Sequence, residues 1–197
     1  MSTTAWVVLG VVVVALIWAV TVYNRLVQLR NRIANAFGQI DVQLKRRYDL
    51  IPNLVEVARG YLAHEAATLE AVIKARGQAQ GAAAAVRASP ESASAMGALA
   101  AAEGVLGGSL GRLMVVAEAY PDLKADATMH SLSEELTSTE NRLGFARKAY
   151  NDQALEFTDA ATQFPEFIVA RLMGFPPAPM LESTQSEQER TAPKVKF

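Results

Sequence analysis

The chain has 197 residues, 19 Lys and Arg against 20 Asp and Glu, two His and no Cys, giving a formal charge of −1. A near-neutral chain has no general basic field for nucleic-acid binding, and it is not an acidic, disordered solvating chain either. The missing Cys excludes a disulfide framework, a thiolate nucleophile and Cys-ligated zinc or iron–sulfur centres.

The apolar residues, 51% of the whole, are segregated, because no charged side chain precedes Arg25. Ala5 to Tyr23 is a run of Val, Leu, Ile, Ala and Trp interrupted only by Gly10 and Thr21. As a helix at 1.5 Å per residue it is roughly 28 Å long, the hydrocarbon thickness of a bilayer. Trp6 and Tyr23 sit near its ends, where amphipathic rings prefer the headgroup level. The run lacks a basic start and a small-x-small cleavage site, so an uncleaved anchor over residues 1–24 is expected rather than a signal peptide. Arg25, Arg30 and Arg32 follow at once, and the positive-inside rule then places the N-terminus outside and the remainder in the cytoplasm. These three arginines are also candidate contacts for anionic lipid headgroups.

From Asn24 onward no alternating β-branched run or hairpin turn is present, and Ala, Leu, Glu, Gln and Arg dominate, so the body reads as all-α. Proline divides it into helical stretches over 24–50, 53–87, 91–119 and 122–163. Ser89-Pro90-Glu91 predicts a helix start with Ser89 as N-cap, whereas Ile51-Pro52 is either a kink or a break. Ile33, Phe37, Ile40 and Leu44 form an apolar stripe, and Met129, Leu136, Leu143, Tyr150, Phe157 and Phe164 recur every seven residues. Both stripes predict core packing in coiled-coil-like seams of an antiparallel bundle.

The stretch 91–119 holds Gly97, Gly104, Gly107, Gly108 and Gly111, each costing about 1 kcal/mol against Ala in a helix interior. Two readings remain open: close packing or fraying within the chain, or a subunit interface using Gly97, Gly104, Gly108 and Gly111. The densest charge run, Lys45-Arg46-Arg47, is too far from the headgroups for lipid to explain it. Its expected partners are carboxylates such as Glu56, Glu118, Glu135 or Glu140, or else an acidic partner protein. Residues 176–197, rich in Pro and Ser and then in mixed charges, read as a flexible tail.

Candidate chemistry is thin. Gly107-Gly108-Ser109-Leu110-Gly111 spells a nucleophile-elbow string, but both flanks read as helical where a strand should precede. His64-Glu65 has Thr68 where a zinc motif needs its second His, and no phosphate-loop string occurs. No catalytic residue, metal ligand, cofactor or small-molecule substrate is therefore expected.

Taken in order, the motifs resemble those of the bacterial LemA family. The resemblance is carried by the long string from Ile40 through Asp49-Leu50-Ile51-Pro52-Asn53 to Val55, by Gly60-Tyr61 with His64-Glu65, and by Leu113 through Glu118-Ala119-Tyr120-Pro121-Asp122-Leu123-Lys124. Thr139-Glu140-Asn141-Arg142, Tyr150-Asn151, Phe164-Pro165 and Gly174-Phe175 complete it. A second Tyr-Asn, usual in the family, is here Phe157-Thr158. The resemblance implies a membrane-anchored protein with, over 25–175, an antiparallel four-helix up-and-down bundle of long helices, and the single anchor with its basic flank makes the inner membrane the expected location. It also favours a true break at Ile51-Pro52, and it implies no enzymatic activity. The resulting expectation is a non-enzymatic scaffold that self-associates or docks an envelope partner; the alternative is a protein that organises lipid packing or curvature.

Overall fold

The computed structural model describes residues 2–181. One helix, α1 (Thr3–Arg59), carries both the apolar run and the first bundle stripe without interruption. It is followed by α2 (Ala66–Ala88), α3 (Ala93–Glu118), the short α4 (Pro121–Lys124), α5 (Ala127–Thr162) and α6 (Glu166–Leu172). The described residues contain no strand, so the all-helical reading holds.

The break at Pro52 that the resemblance favours is absent, and a contact from another helix accounts for it. Proline lacks the N–H that would bond the carbonyl four residues back, here that of Tyr48, and interior proline normally kinks or ends a helix for this reason. In this chain Arg76 of α2 donates its Nε–H to the Tyr48 carbonyl at 2.6 Å. The orphaned acceptor is satisfied from a neighbouring helix, and α1 runs on with Ile51, Leu54, Val55 and Ala58 buried. It stops at Gly60, whose N–H turns back to the Val57 carbonyl.

Two other starts move as well. Ser89 caps the end of α2 instead of opening a helix. The N-cap of α3 is Ser92, whose hydroxyl accepts from the Ala95 N–H at 3.2 Å. The long stretch after Pro121 is divided, because Asp126 accepts from the N–H groups of Thr128 and Met129 and opens α5 there.

The helices are tied by cross-contacts in a regular order. Along α1 toward its N-terminus, Arg46 pairs with Glu135, Phe37 meets Tyr150 edge-on at 6.3 Å, Arg32 pairs with Glu156, and Arg25 reaches Glu166 of α6. On another side Arg76 donates to the Tyr48 carbonyl, Arg87 to Asp41, and Arg30 to Glu91. Helix α2 packs on α3 and on α1 and buries Leu69, Val72, Ala75, Ala79, Ala83 and Val86, a three-four spacing that gives one apolar face. The α1 stripe is interior, and so are Met129, Leu143, Tyr150 and Phe157 of the seven-residue series. Phe164 departs from that series at 81% exposure, since α5 has ended at Thr162.

Residues 176–181 do not behave as a free tail. The Tyr150 hydroxyl donates to the Pro179 carbonyl, and the Asn151 amide bonds the Leu181 carbonyl and N–H at 2.8 and 2.9 Å. Thr158, standing where the family has its second Asn, accepts from the Ala178 N–H at 3.3 Å. The segment therefore lies along α5, with Leu181 buried. The rest of the expected tail, 182–197, is outside the described residues.

Candidate functional site

The first part of α1 is an apolar rod that the other described residues leave uncovered. Trp6, Val7, Val11, Val14, Leu16, Ile17 and Val20 are all more than half exposed, and burial begins at Val22. Water penalises that much apolar surface by tens of cal/mol per Å², so the segment needs a non-aqueous surrounding. It is long and apolar enough to cross a bilayer. Helix α3 meets the same test of length and composition, but its Met96, Leu99, Leu106, Leu110 and Leu113 are packed inside the bundle.

The three arginines after the anchor all have carboxylate partners. Arg25 lies 2.7 Å from Glu166, Arg32 lies 3.6 Å from Glu156, and Arg30 pairs with Glu91 while its guanidinium sits over the Phe175 ring. Each remains about half exposed, so these are surface pairs that contribute little to stability.

The basic run separates into three different fates. Lys45 is exposed, Arg46 holds Glu135 at the surface, and Arg47 is buried. Arg47 is thus not available to a partner protein, contrary to its expected place on an interface. Its Nη1 bonds Glu103 of α3 at 2.6 Å and lies 3.2 Å from Glu140 of α5. The Tyr48 hydroxyl donates to the other Glu103 oxygen at 2.6 Å, and Arg147 approaches Glu103 at 3.5 Å. Glu103 and Glu140 thereby connect α1, α3 and α5 through one buried guanidinium. Glu140 is one of the carboxylates anticipated for this run. Glu103 is not, although its signal is visible: it is the lone charge between Glu91 and Arg112 in an Ala- and Gly-rich helix.

Burial first, and then the negative charge of Glu103, push the Tyr48 hydroxyl well above its ordinary range. Burial alone pushes Tyr150 up to about 12. In both cases the folded state favours the neutral phenol. The stabilisation is complete below pH 10, the unfolded phenol value, and is lost as the pH rises from there through the folded values. Thermal midpoints of the detergent-solubilised chain are expected to be level up to about pH 9.5 and to fall steeply beyond pH 10. A Tyr48→Phe/Tyr150→Phe variant starts from a lower midpoint but falls less over the same interval. An equal alkaline fall in both proteins would refute this assignment.

Among the described residues, Gly97, Gly107, Gly108 and Gly111 of α3 do not serve close packing inside the chain. Gly97, Gly108 and Gly111 have no atom within 4 Å of where a Cβ would stand, and Gly107 meets only the tip of Arg47 at 3.8 Å. Gly104 is half-buried. Nor is the helix frayed, since α3 is continuous from Ala93 to Glu118. Val105 and Val115 are 56% and 70% exposed on the same helix, leaving an outward apolar surface broken by Arg112. Gly107 and Gly111 also line an open groove against Leu136 and Thr137 of α5.

The remaining candidates, Ser109, His64 and His130, stand apart from one another. Ser109 lies in the interior of α3 and donates to the Val105 carbonyl at 2.9 Å, so its hydroxyl is engaged by its own backbone. His64 is exposed in the turn before α2, and His130 is exposed beside Glu134. Among the described residues no three His, Asp or Glu side chains converge as a metal site.

Over 78 residues the chain is 33% identical to the magnetosome protein MamQ of Magnetospirillum gryphiswaldense, a stretch that is 40% of this chain and 29% of that protein. It is 35% identical, with the same coverage, to the magnetosome proteins MamQ 1 and MamQ 2 of Paramagnetospirillum magneticum. The match thus spans less than a third of these relatives. The family model described as LemA family covers far more, residues 36–197, and the chain belongs to that family.

Proposed function

We infer that this protein is a non-enzymatic, single-pass membrane scaffold, whose helical body is an antiparallel four-helix bundle of α1, α2, α3 and α5 that docks a second copy or an envelope protein. The observation that carries this reading is the outer surface of α3, where Gly97, Gly108 and Gly111 stand in open space beside the exposed Val105 and Val115. Glycine weakens a helix interior by about 0.5–1 kcal/mol relative to Ala, and among the described residues no contact offsets that cost at these positions. A close-packed partner helix would do so.

The test uses the absence of Cys. Gly108→Cys gives a unique thiol, and in native membranes it is expected to form a covalent dimer or a cross-link to one defined protein; strictly monomeric product overturns the reading. A Gly97→Ala/Gly108→Ala/Gly111→Ala variant is expected to gain roughly 1–3 kcal/mol of bundle stability while losing association. Stability gained with association unchanged counts against this face.

The anchor and the Arg25, Arg30 and Arg32 flank support an inner-membrane location with the bundle in the cytoplasm. A fluorescent protein fused at the C-terminus is expected to fold, and an alkaline phosphatase fused there to stay inactive; the reverse pattern inverts the topology. The alternative, a protein that reorganises lipid through those arginines, is weakened by their carboxylate partners. Reversing their charges would set them against Glu166, Glu91 and Glu156 as well as against lipid.

A further inference from the structure

A second apolar surface lies where α1 leaves the anchor. Val169 and Ala170 of α6 pack into one cluster with Val22, Leu26 and Leu29 of α1, and Phe175 meets Tyr23 edge-on at 5.7 Å. Arg25 reaches Glu166 at the start of α6. These contacts fix α6 at the level of Tyr23, the aromatic end of the spanning segment. The side of α6 turned away from α1 carries Ile168 and Leu172, four residues apart and 42% and 77% exposed, and Phe164, in the turn just before α6, is 81% exposed with its ring 6.3 Å from that of Phe167. Phe167 and Met173 extend the patch, and Arg171 stands exposed among them.

We propose that the Phe164–Met173 segment is a second membrane contact, lying in the lipid interface beside the anchor with Phe164, Ile168 and Leu172 inserted at the boundary of headgroups and acyl chains. The occupant follows from continuity. The patch adjoins a rod that is itself exposed and apolar from Trp6 to Val20, so the medium that surrounds the rod also reaches α6. An amphipathic segment with an apolar face and a basic residue suits that depth, where apolar burial and headgroup attraction act together. The consequence is mechanical. A single straight anchor leaves the bundle free to tilt, whereas a second contact offset from the α1 axis fixes its inclination to the bilayer.

This inference rests on the reading of Ala5–Tyr23 as a spanning helix, and the experiment separates the two. Single cysteines at Val13, Phe164, Leu172 and Phe145 of the full chain are spin-labelled in liposomes of phosphatidylcholine and phosphatidylglycerol. Accessibility to oxygen and to a water-soluble nickel chelate is then measured. Phe145 is 76% exposed on α5, more than a turn beyond the Phe37–Tyr150 contact, and serves as the aqueous control. The expected result is a label at 164 and at 172 that is reached by oxygen and protected several-fold from nickel relative to 145, at a shallower depth than 13. Labels at 164 and 172 as open to nickel as 145, with 13 in lipid, overturn the proposal and leave the anchor standing. A label at 13 open to nickel refutes the anchor and the proposal together. Protection at 164 and 172 with spin–spin broadening and no gain in oxygen access assigns the patch to a second copy, which also overturns it.

Discussion

Glu103→Ala is expected to destabilise the bundle by about 3–5 kcal/mol, because it leaves the Arg47 guanidinium buried with its main counter-charge removed. For a chain of this size each kcal/mol moves the thermal midpoint by roughly 2–4 °C, so the loss is on the order of 10 °C. The comparison is Arg46→Ala, which removes a pair whose members are 53% and 38% exposed and is expected to cost about 0–1 kcal/mol. Arg47 and Glu103 are only 5% and 2% exposed, so adjacent arginines of one run should differ several-fold in consequence. Removing both charges, as in Arg47→Met/Glu103→Leu, should cost less than the sum of the single changes, since neither is then left unpaired. Recovery stays partial because the Tyr48 hydroxyl loses its acceptor and Arg147 a neighbour. Circular-dichroism melts of the detergent-solubilised full chain measure these variants and the single changes of the pair. A Glu103→Ala loss as small as that of Arg46→Ala would mean that the network does not hold α1, α3 and α5 together.

The two arginines also show how far the sequence could be read. Periodicity exposed the α1 stripe and most of the α5 series, because a three-four or seven-residue repeat is the direct imprint of one buried helix face. The segregation of charge exposed the anchor in the same way. What periodicity cannot supply is azimuth between helices. Arg46 and Arg47 are adjacent in sequence but about 100° apart around α1, and that rotation sends one to the surface and the other into the core. The glycines of α3 pose the same difficulty: their spacing marks a face, and only the packing of α2 against the opposite side leaves Gly97, Gly108 and Gly111 uncovered. The ordered segment 176–181 escaped because its ties are hydrogen bonds from Tyr150, Asn151 and Thr158 to backbone, which a Pro-rich composition does not reveal.

Pro52 is the sharpest case, and it leads to the second large effect. Where α1 runs on across it, a group 24 residues further along the chain, Arg76, gives its Nε–H to the Tyr48 carbonyl that proline leaves without a donor. Arg76→Ala is expected to cost roughly 1.5–3 kcal/mol, the range for a hydrogen bond to a charged group whose partner is left buried and unpaired. In a Pro52→Ala background the N–H of the introduced alanine supplies the ordinary helical bond to the same carbonyl. There Arg76→Ala should cost less than about 1 kcal/mol, giving a coupling energy of at least about 0.5 kcal/mol between two residues that meet at the Tyr48 carbonyl. Equal costs in the two backgrounds would show that Arg76 acts through packing alone. A positive coupling would mean that proline and arginine work as a pair: Pro52 frees an acceptor in the middle of α1, and Arg76 uses it to fix the register of α2. That register also sets the approach of Arg87 to Asp41 and, through the turn, of Glu91 to Arg30, so a bond at mid-bundle helps determine what is presented beside the membrane.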